Sequence, residues 1–116
     1  MNDVPVRYRI KSSQEILEVK NFGESFSDSN LVLVFRQNDL GFSRYAVIAS
    51  KAVGGAVQRN RCKRRLRNRA DRFIQNLEQD VDLLLIARLP LLNITPKELD
   101  LSVKLLLKRA KLWTSE

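Results

Sequence analysis

The chain has 116 residues, a formal net charge of +8, 44% hydrophobic residues, one cysteine and no histidine. That length supports one domain around one core, and the longest apolar run, Val81 to Ala87 broken by Asp82, is far short of a membrane span. Cys62 alone cannot form an internal disulfide, the lack of histidine removes the usual metal ligand and general base, and the start MNDVPVRYRIKSS has no secretion-type segment, so a cytoplasmic location is expected.

Residues 1 to 11 mix charge with proline and read as a loosely held arm. Ser12 and Glu15 have the spacing of a capping box. A short helix carrying Ile16, Val19 and Lys20 should begin there and stop near Gly23. Glu24 to Ser29 reads as a first short strand and Leu31 to Arg36 as a strongly β-prone second. Gln37 to Gly41 supplies turn chemistry, Arg44 to Ser50 reads as the next strand, and these two strands are expected to pair as a hairpin. The glycine pair Gly54-Gly55 marks a tight turn into a helix running to about Gln79. Val81 to Arg88 is a buried strand ended by Pro90. Thr95, Pro96 and Glu98 then supply the cap, first-turn proline and reciprocal acid of a last helix, with Leu99, Val103, Leu106, Leu107, Ala110 and Trp113 as its apolar stripe. The order α-β-β-β-α-β-α predicts an α+β fold: a two-layer α/β sandwich on a mainly antiparallel four-stranded sheet, one domain over 1–116.

The charge is concentrated in one place. Residues 59 to 72 contain eight Arg or Lys against one acid, Asp71, and so carry seven of the eight net positive charges. At about 100° per residue, Cys62, Leu66, Ala70, Phe73 and Leu77 form one apolar stripe with Ile74 at its margin. This makes Cys62 a small core residue. Arg61, Arg64, Arg65, Arg67, Asn68 and Arg72 cover the outer faces, while Arg59, Lys63 and Arg69 sit at the edges, where their stems can lie along apolar surface. With only Asp71 and Glu78 as local counter-charges, the natural partner is an external polyanion. Phosphate fits, because guanidinium groups bind two oxygens at once and a helix start adds free amides.

Ser50-Lys51, Gly54, Ala56-Val57 and Arg59-Asn60-Arg61-x-Lys63-Arg64-x-x-Arg67 resemble the signature of the bacterial ribonuclease P protein component, departing from it at Ala52 and Gly55. The resemblance extends over nearly the whole chain. It implies a left-handed crossover around the basic helix, where the general rule would give a right-handed one. It also implies a ribonucleoprotein enzyme in which a large catalytic RNA, with magnesium ions held mainly by RNA, cleaves precursor tRNA to free the mature 5′ end. The protein would bind that RNA through Ser50, Lys51, Arg59, Asn60, Arg61, Lys63, Arg64 and Arg67. A cleft between the first helix and the sheet would hold the single-stranded 5′ leader, with Ile16, Lys20, Phe35 and Tyr45 as candidates, the two rings as platforms on which an unpaired base stacks or, equally, as ordinary core aromatics.

The residues agree with a protein that assists and does not itself cut: the thirteen acids form no evident metal-binding pattern, and AVGGAVQRN lacks the Gly-Lys-Ser/Thr ending of a nucleotide loop. Neither a cofactor on the protein nor an obligate protein partner is expected. Two other readings of the basic helix are a ribosomal or RNA-chaperone protein and a DNA-binding protein, the latter opposed by a strand where a partner helix would stand.

Overall fold

A computed structural model describes residues 8–113. Residues 1–7 of the expected arm lie outside the described residues. The arm's last part is tied down: Arg9 bridges Tyr45 in parallel register, the Ile10 amide donates to the Tyr45 carbonyl at 2.8 Å, and Ile10 is buried.

The first helix, α1, spans Ser13–Phe22 behind the predicted Ser12 cap, whose hydroxyl accepts from the Glu15 amide at 3.2 Å. The reciprocal half of the box is not made, because Arg44 takes both Glu15 oxygens, at 3.3 and 3.2 Å. Gly23 ends the helix for want of room: a Cβ there would stand 2.6 Å from the carbonyl oxygens of Phe35 and Val19.

Four strands follow, β1 (Glu24–Ser27), β2 (Leu31–Gln37), β3 (Arg44–Ile48) and β4 (Val81–Ala87), in the sheet order β1-β2-β4-β3. The β1/β2 and β2/β4 pairs are antiparallel and β3/β4 is parallel, so the sheet is mixed. The predicted β2–β3 hairpin does not form. β4 stands between the two strands because Val81, Leu83, Leu84, Leu85 and Ala87 are all buried, and a strand apolar on both faces needs the centre of a sheet. The turn-like segment after β2 instead straps the start of β4. The Asn38 amide donates to Asp80, the Ser43 hydroxyl donates to the Gln79 carbonyl, and the Val81 amide donates to Ser43.

The basic helix, α2 (Ala56–Phe73), connects β3 to β4 and ends about six residues earlier than predicted, where the chain turns to join the Glu78 amide to the Leu112 carbonyl. The last helix, α3 (Pro96–Arg109), has its complete Thr95/Glu98 capping box, with bonds of 3.1 and 2.8 Å. One sheet face, with Leu31, Leu33, Phe35, Tyr45, Leu83 and Leu85, packs against α2 and α3 to form the main two-layer core. The other face carries Val34, Ala46 and Leu84 under Val19 of α1 and Ile10.

Candidate nucleic-acid interface

The approach to α2 is built from small residues with definite tasks. Ser50 caps a 3-10 turn at Lys51–Val53, accepting from the Ala52 amide at 3.3 Å, and buried Val53 pins that turn to the core. Gly54 has φ 129°, a left-handed value that an L side chain rarely adopts. Gly55 then caps α2 without a side chain, its own amide donating to Gln58 Oε1 at 3.1 Å. The first intrahelical bond is Arg59 to Gly55, which leaves the Ala56, Val57 and Gln58 amides without helix partners. No acid stands in this first turn, so its positive dipole end is open to an outside anion. Ser50 and Lys51 are both exposed beside it.

Cys62, Leu66, Ala70 and Phe73 bury one face of α2, as the periodicity predicts. Burial raises the Cys62 thiol pKa against the opposing pull of Arg65 and Arg61, as suits a core residue. Burying Leu66 and Phe73 contributes about 1.5–3 kcal/mol each. Like-charge pairs a helical turn apart cost only a few tenths of a kcal/mol. A self-repelling basic helix is therefore tolerated as long as the stripe stays packed.

The two flanks of that stripe differ. On one, Arg65 donates to the Leu91 and Ile94 carbonyls at 2.7 and 2.6 Å, and burial, with Arg61 and Arg69 nearby, lowers its pKa. Arg69 on the same flank is ion-paired with Asp100 and donates to the Pro96 carbonyl at 3.4 Å. The outer-face assignment of Arg65 is thus corrected: its role is to hold the turn after β4. The other six of the eight cations, Arg59, Arg61, Lys63, Arg64, Arg67 and Arg72, have no acidic partner among the described residues. Asn60, Arg61, Arg64, Arg67 and Arg72 are exposed, Arg59 and Lys63 partly so. Asp71, the expected local counter-charge, instead accepts from the Tyr45 hydroxyl at 2.6 Å.

The cleft candidates separate. Ile16 and Lys20 both lie on α1, Ile16 packed against the sheet and Lys20 exposed. Phe35 and Tyr45 do not face them. The register aligns Phe35, Leu83 and Tyr45 in one row on the α2 side, where the two aromatic residues are 5% and 1% exposed. Burial, then the bond to Asp71, pushes the Tyr45 hydroxyl up to about 12. Both rings are core, which corrects the stacking role expected of them.

Beside α1 the sheet presents Val32, Ile48 and Ile86, partly buried and aliphatic. Sequence reasoning missed these three. The signal was their two-residue spacing from Val34, Ala46 and Leu84 on the same face. Arg44 fixes α1 over that face by bonding Asp82 at 2.7 and 3.0 Å as well as Glu15, and these bonds hold its guanidinium more firmly protonated despite burial. Arg67 also lines a groove of about 260 Å³ with Arg9, Lys11 and Ile16, which joins the basic helix to the α1 side.

A family model described as Ribonuclease P matches residues 4–111. The ribonuclease P protein component of Clostridium kluyveri is 38% identical over 108 residues, 91% of this chain and 96% of that one. The solved RNase P protein of Staphylococcus aureus superposes with a TM-score of 0.81 at 28% identity, covering 92% of this chain and 98% of its own. A mutant of the S. aureus protein with defective mRNA degradation activity gives 0.83 at 27%, covering 92% and 91%.

Proposed function

The chain belongs to the ribonuclease P protein family, and from that premise we propose that it is the protein subunit of a ribonucleoprotein that removes the 5′ leader of precursor tRNA. The observation that carries this reading is the open side of α2: five cations, Arg59, Arg61, Lys63, Arg64 and Arg67, without acidic partners among the described residues, next to a helix start with free amides. Catalytic RNA is the polyanion they meet, through Arg59, Asn60, Arg61, Lys63, Arg64 and Arg67, with Ser50 and Lys51 at the entrance. Phosphate contacts of this kind position RNA without reading its sequence.

In the same reading the leader lies along the α1 side of the sheet. Its floor of Val32, Ile48 and Ile86 offers apolar contact and no stacking ring, so Lys20 and Lys51 hold the leader by its backbone. In this reading the magnesium ions of the holoenzyme are held mainly by the RNA. The protein works in the cytoplasm and needs no second protein.

The S. aureus mutant, described as having defective mRNA degradation activity, favours a second reading in which this chain takes part in degrading mRNA. One experiment separates the two. RNA-free protein is incubated with precursor tRNA and with an unstructured RNA across magnesium concentrations, and again after addition of cognate ribonuclease P RNA. Site-specific leader removal that depends on the added RNA, and that the protein enhances at low magnesium, supports the subunit reading. Leader removal by protein that has survived RNase treatment contradicts it.

A further inference from the structure

At the end of α1 the sheet has a notch. β1 begins at Glu24, which pairs with Phe35, whereas β2 runs on to Gln37, so Arg36 and Gln37 pair with β4 and have no strand on their other side. A cavity of about 520 Å³ lies there, between the last turn of α1, the end of β2 and the turn after α3. Phe22 of α1 is part of its lining and is 72% exposed, the one exposed aromatic side chain among the described residues. The Arg36 guanidinium stands 5.6 Å from the ring centroid and is ion-paired with Glu18 at 3.7 Å, so its charge is already answered.

Two further features of the lining point to a ligand. Gln37 Nε2 donates to Gln79 Oε1 at 2.6 Å, which leaves the Gln37 carbonyl oxygen and the Gln79 amino group open to another partner. Lys111 has φ 62°, the one positive value outside glycine among the described residues. It follows the Ala110 cap of α3 in the position that glycine usually takes, with the Leu112 amide donating to the Leu107 carbonyl at 2.9 Å. A lysine held in that strained conformation, with no acid paired to it among the described residues, keeps a charge available at the cavity.

We propose that this notch holds one unpaired base of an RNA strand, its ring stacked on Phe22, its edge on the Gln37 and Gln79 amides and its phosphate on Lys111. An exposed aromatic ring accepts any base by its π face, and the two amides offer a donor and an acceptor to a base edge. Glu24, the acid in the lining, leaves the phosphate to Lys111. The choice of RNA rests on the subunit reading, but none of the α2 cations forms part of the notch.

Binding is measured over a range of salt concentrations with a short unstructured RNA, with the cognate ribonuclease P RNA and, in reconstituted enzyme, with long-leader precursor tRNA and leaderless tRNA. The parent is compared with Phe22→Leu, Phe22→Tyr and Lys111→Gln. Phe22→Leu should weaken binding of at least one of these RNAs about fivefold or more with the salt slope unchanged, and Phe22→Tyr should bind as the parent does. Lys111→Gln should weaken the same RNA and lower the slope by roughly 0.7. A loss confined to the long leader identifies the leader as the source of the base, and a loss with the ribonuclease P RNA identifies that RNA. Equal affinity of the parent and Phe22→Leu for every RNA, or an equal loss in Phe22→Tyr, overturns the proposal and leaves the subunit reading standing. A parent that binds none of these RNAs overturns both.

Discussion

The two flanks of α2 carry the same residue type and do opposite things. Arg65 and Arg69 turn toward the rest of the fold, where carbonyls of Leu91, Ile94 and Pro96 and the Asp100 carboxylate receive them. Arg59, Arg61, Lys63, Arg64 and Arg67 turn away and find no acid among the described residues. The difference shows that a run of basic residues is not one object. What decides a cation's role is whether the fold brings an acceptor to it, and on α2 the acceptors for Arg65 and Arg69 come from the segment that follows β4.

The largest expected effect tests the open flank. Changing Arg61, Arg64 and Arg67 together to Gln should weaken binding to the cognate RNA by about a hundredfold or more, since each charge-assisted bond is worth about 1.5–3 kcal/mol. Thermal unfolding should stay within a few degrees of the parent, because these side chains lie off the buried stripe. The closed flank should behave the other way. Arg65→Ala strands two carbonyls and should cost about 2 kcal/mol of stability in denaturant unfolding, with RNA affinity little changed where the variant is folded.

The core row gives a smaller effect. Tyr45→Phe should cost about 1 kcal/mol by removing the bond to Asp71. It also carries a pH signature. The folded chain keeps a hydroxyl proton up to about 12 that the unfolded chain loses near an ordinary value of about 10. The stabilisation is therefore complete below about pH 10 and disappears as pH rises toward about 12. The gap in stability between parent and Tyr45→Phe, followed by denaturant titration, should close over that interval. Phe35→Leu should likewise lower stability while affecting precursor and mature tRNA equally, as a packing defect does. The smallest effect belongs to the leader path: Lys20→Gln should reduce precursor tRNA affinity by a few-fold in reconstituted enzyme and leave mature tRNA unchanged, measured at equal ionic strength.

These contrasts mark what the sequence could show. Ser12, Thr95 and the Cys62-Leu66-Ala70-Phe73 stripe act within their own segments, so caps and helical period disclosed them. The β2–β3 pairing misleads because Gln37 to Gly41 has real turn chemistry, while the strand that separates those two lies far along the chain, 44 residues away in the Asn38–Asp82 hydrogen bond. The uninterrupted apolar character of Leu83–Ile86 was the available clue to a central strand. Phe35 lies in a run, Leu31 to Phe35, that is apolar at every position, so alternation could not say which face it joins. Arg65 had no local signal at all, since its acceptors are 26 and 29 residues away.

The central claim is that one flank of α2 meets phosphate and the other holds the fold. It is tested most directly by the salt dependence of binding to the cognate RNA, measured side by side for the parent, Arg61→Gln/Arg64→Gln/Arg67→Gln and Arg65→Gln. The slope of log affinity against log salt should fall by roughly 0.7–0.9 for each phosphate that the triple variant no longer neutralises. Arg65→Gln should keep the parent's slope. An unchanged slope in the triple variant with its fold intact, or an equal fall in both variants, would contradict the division of α2 into two flanks.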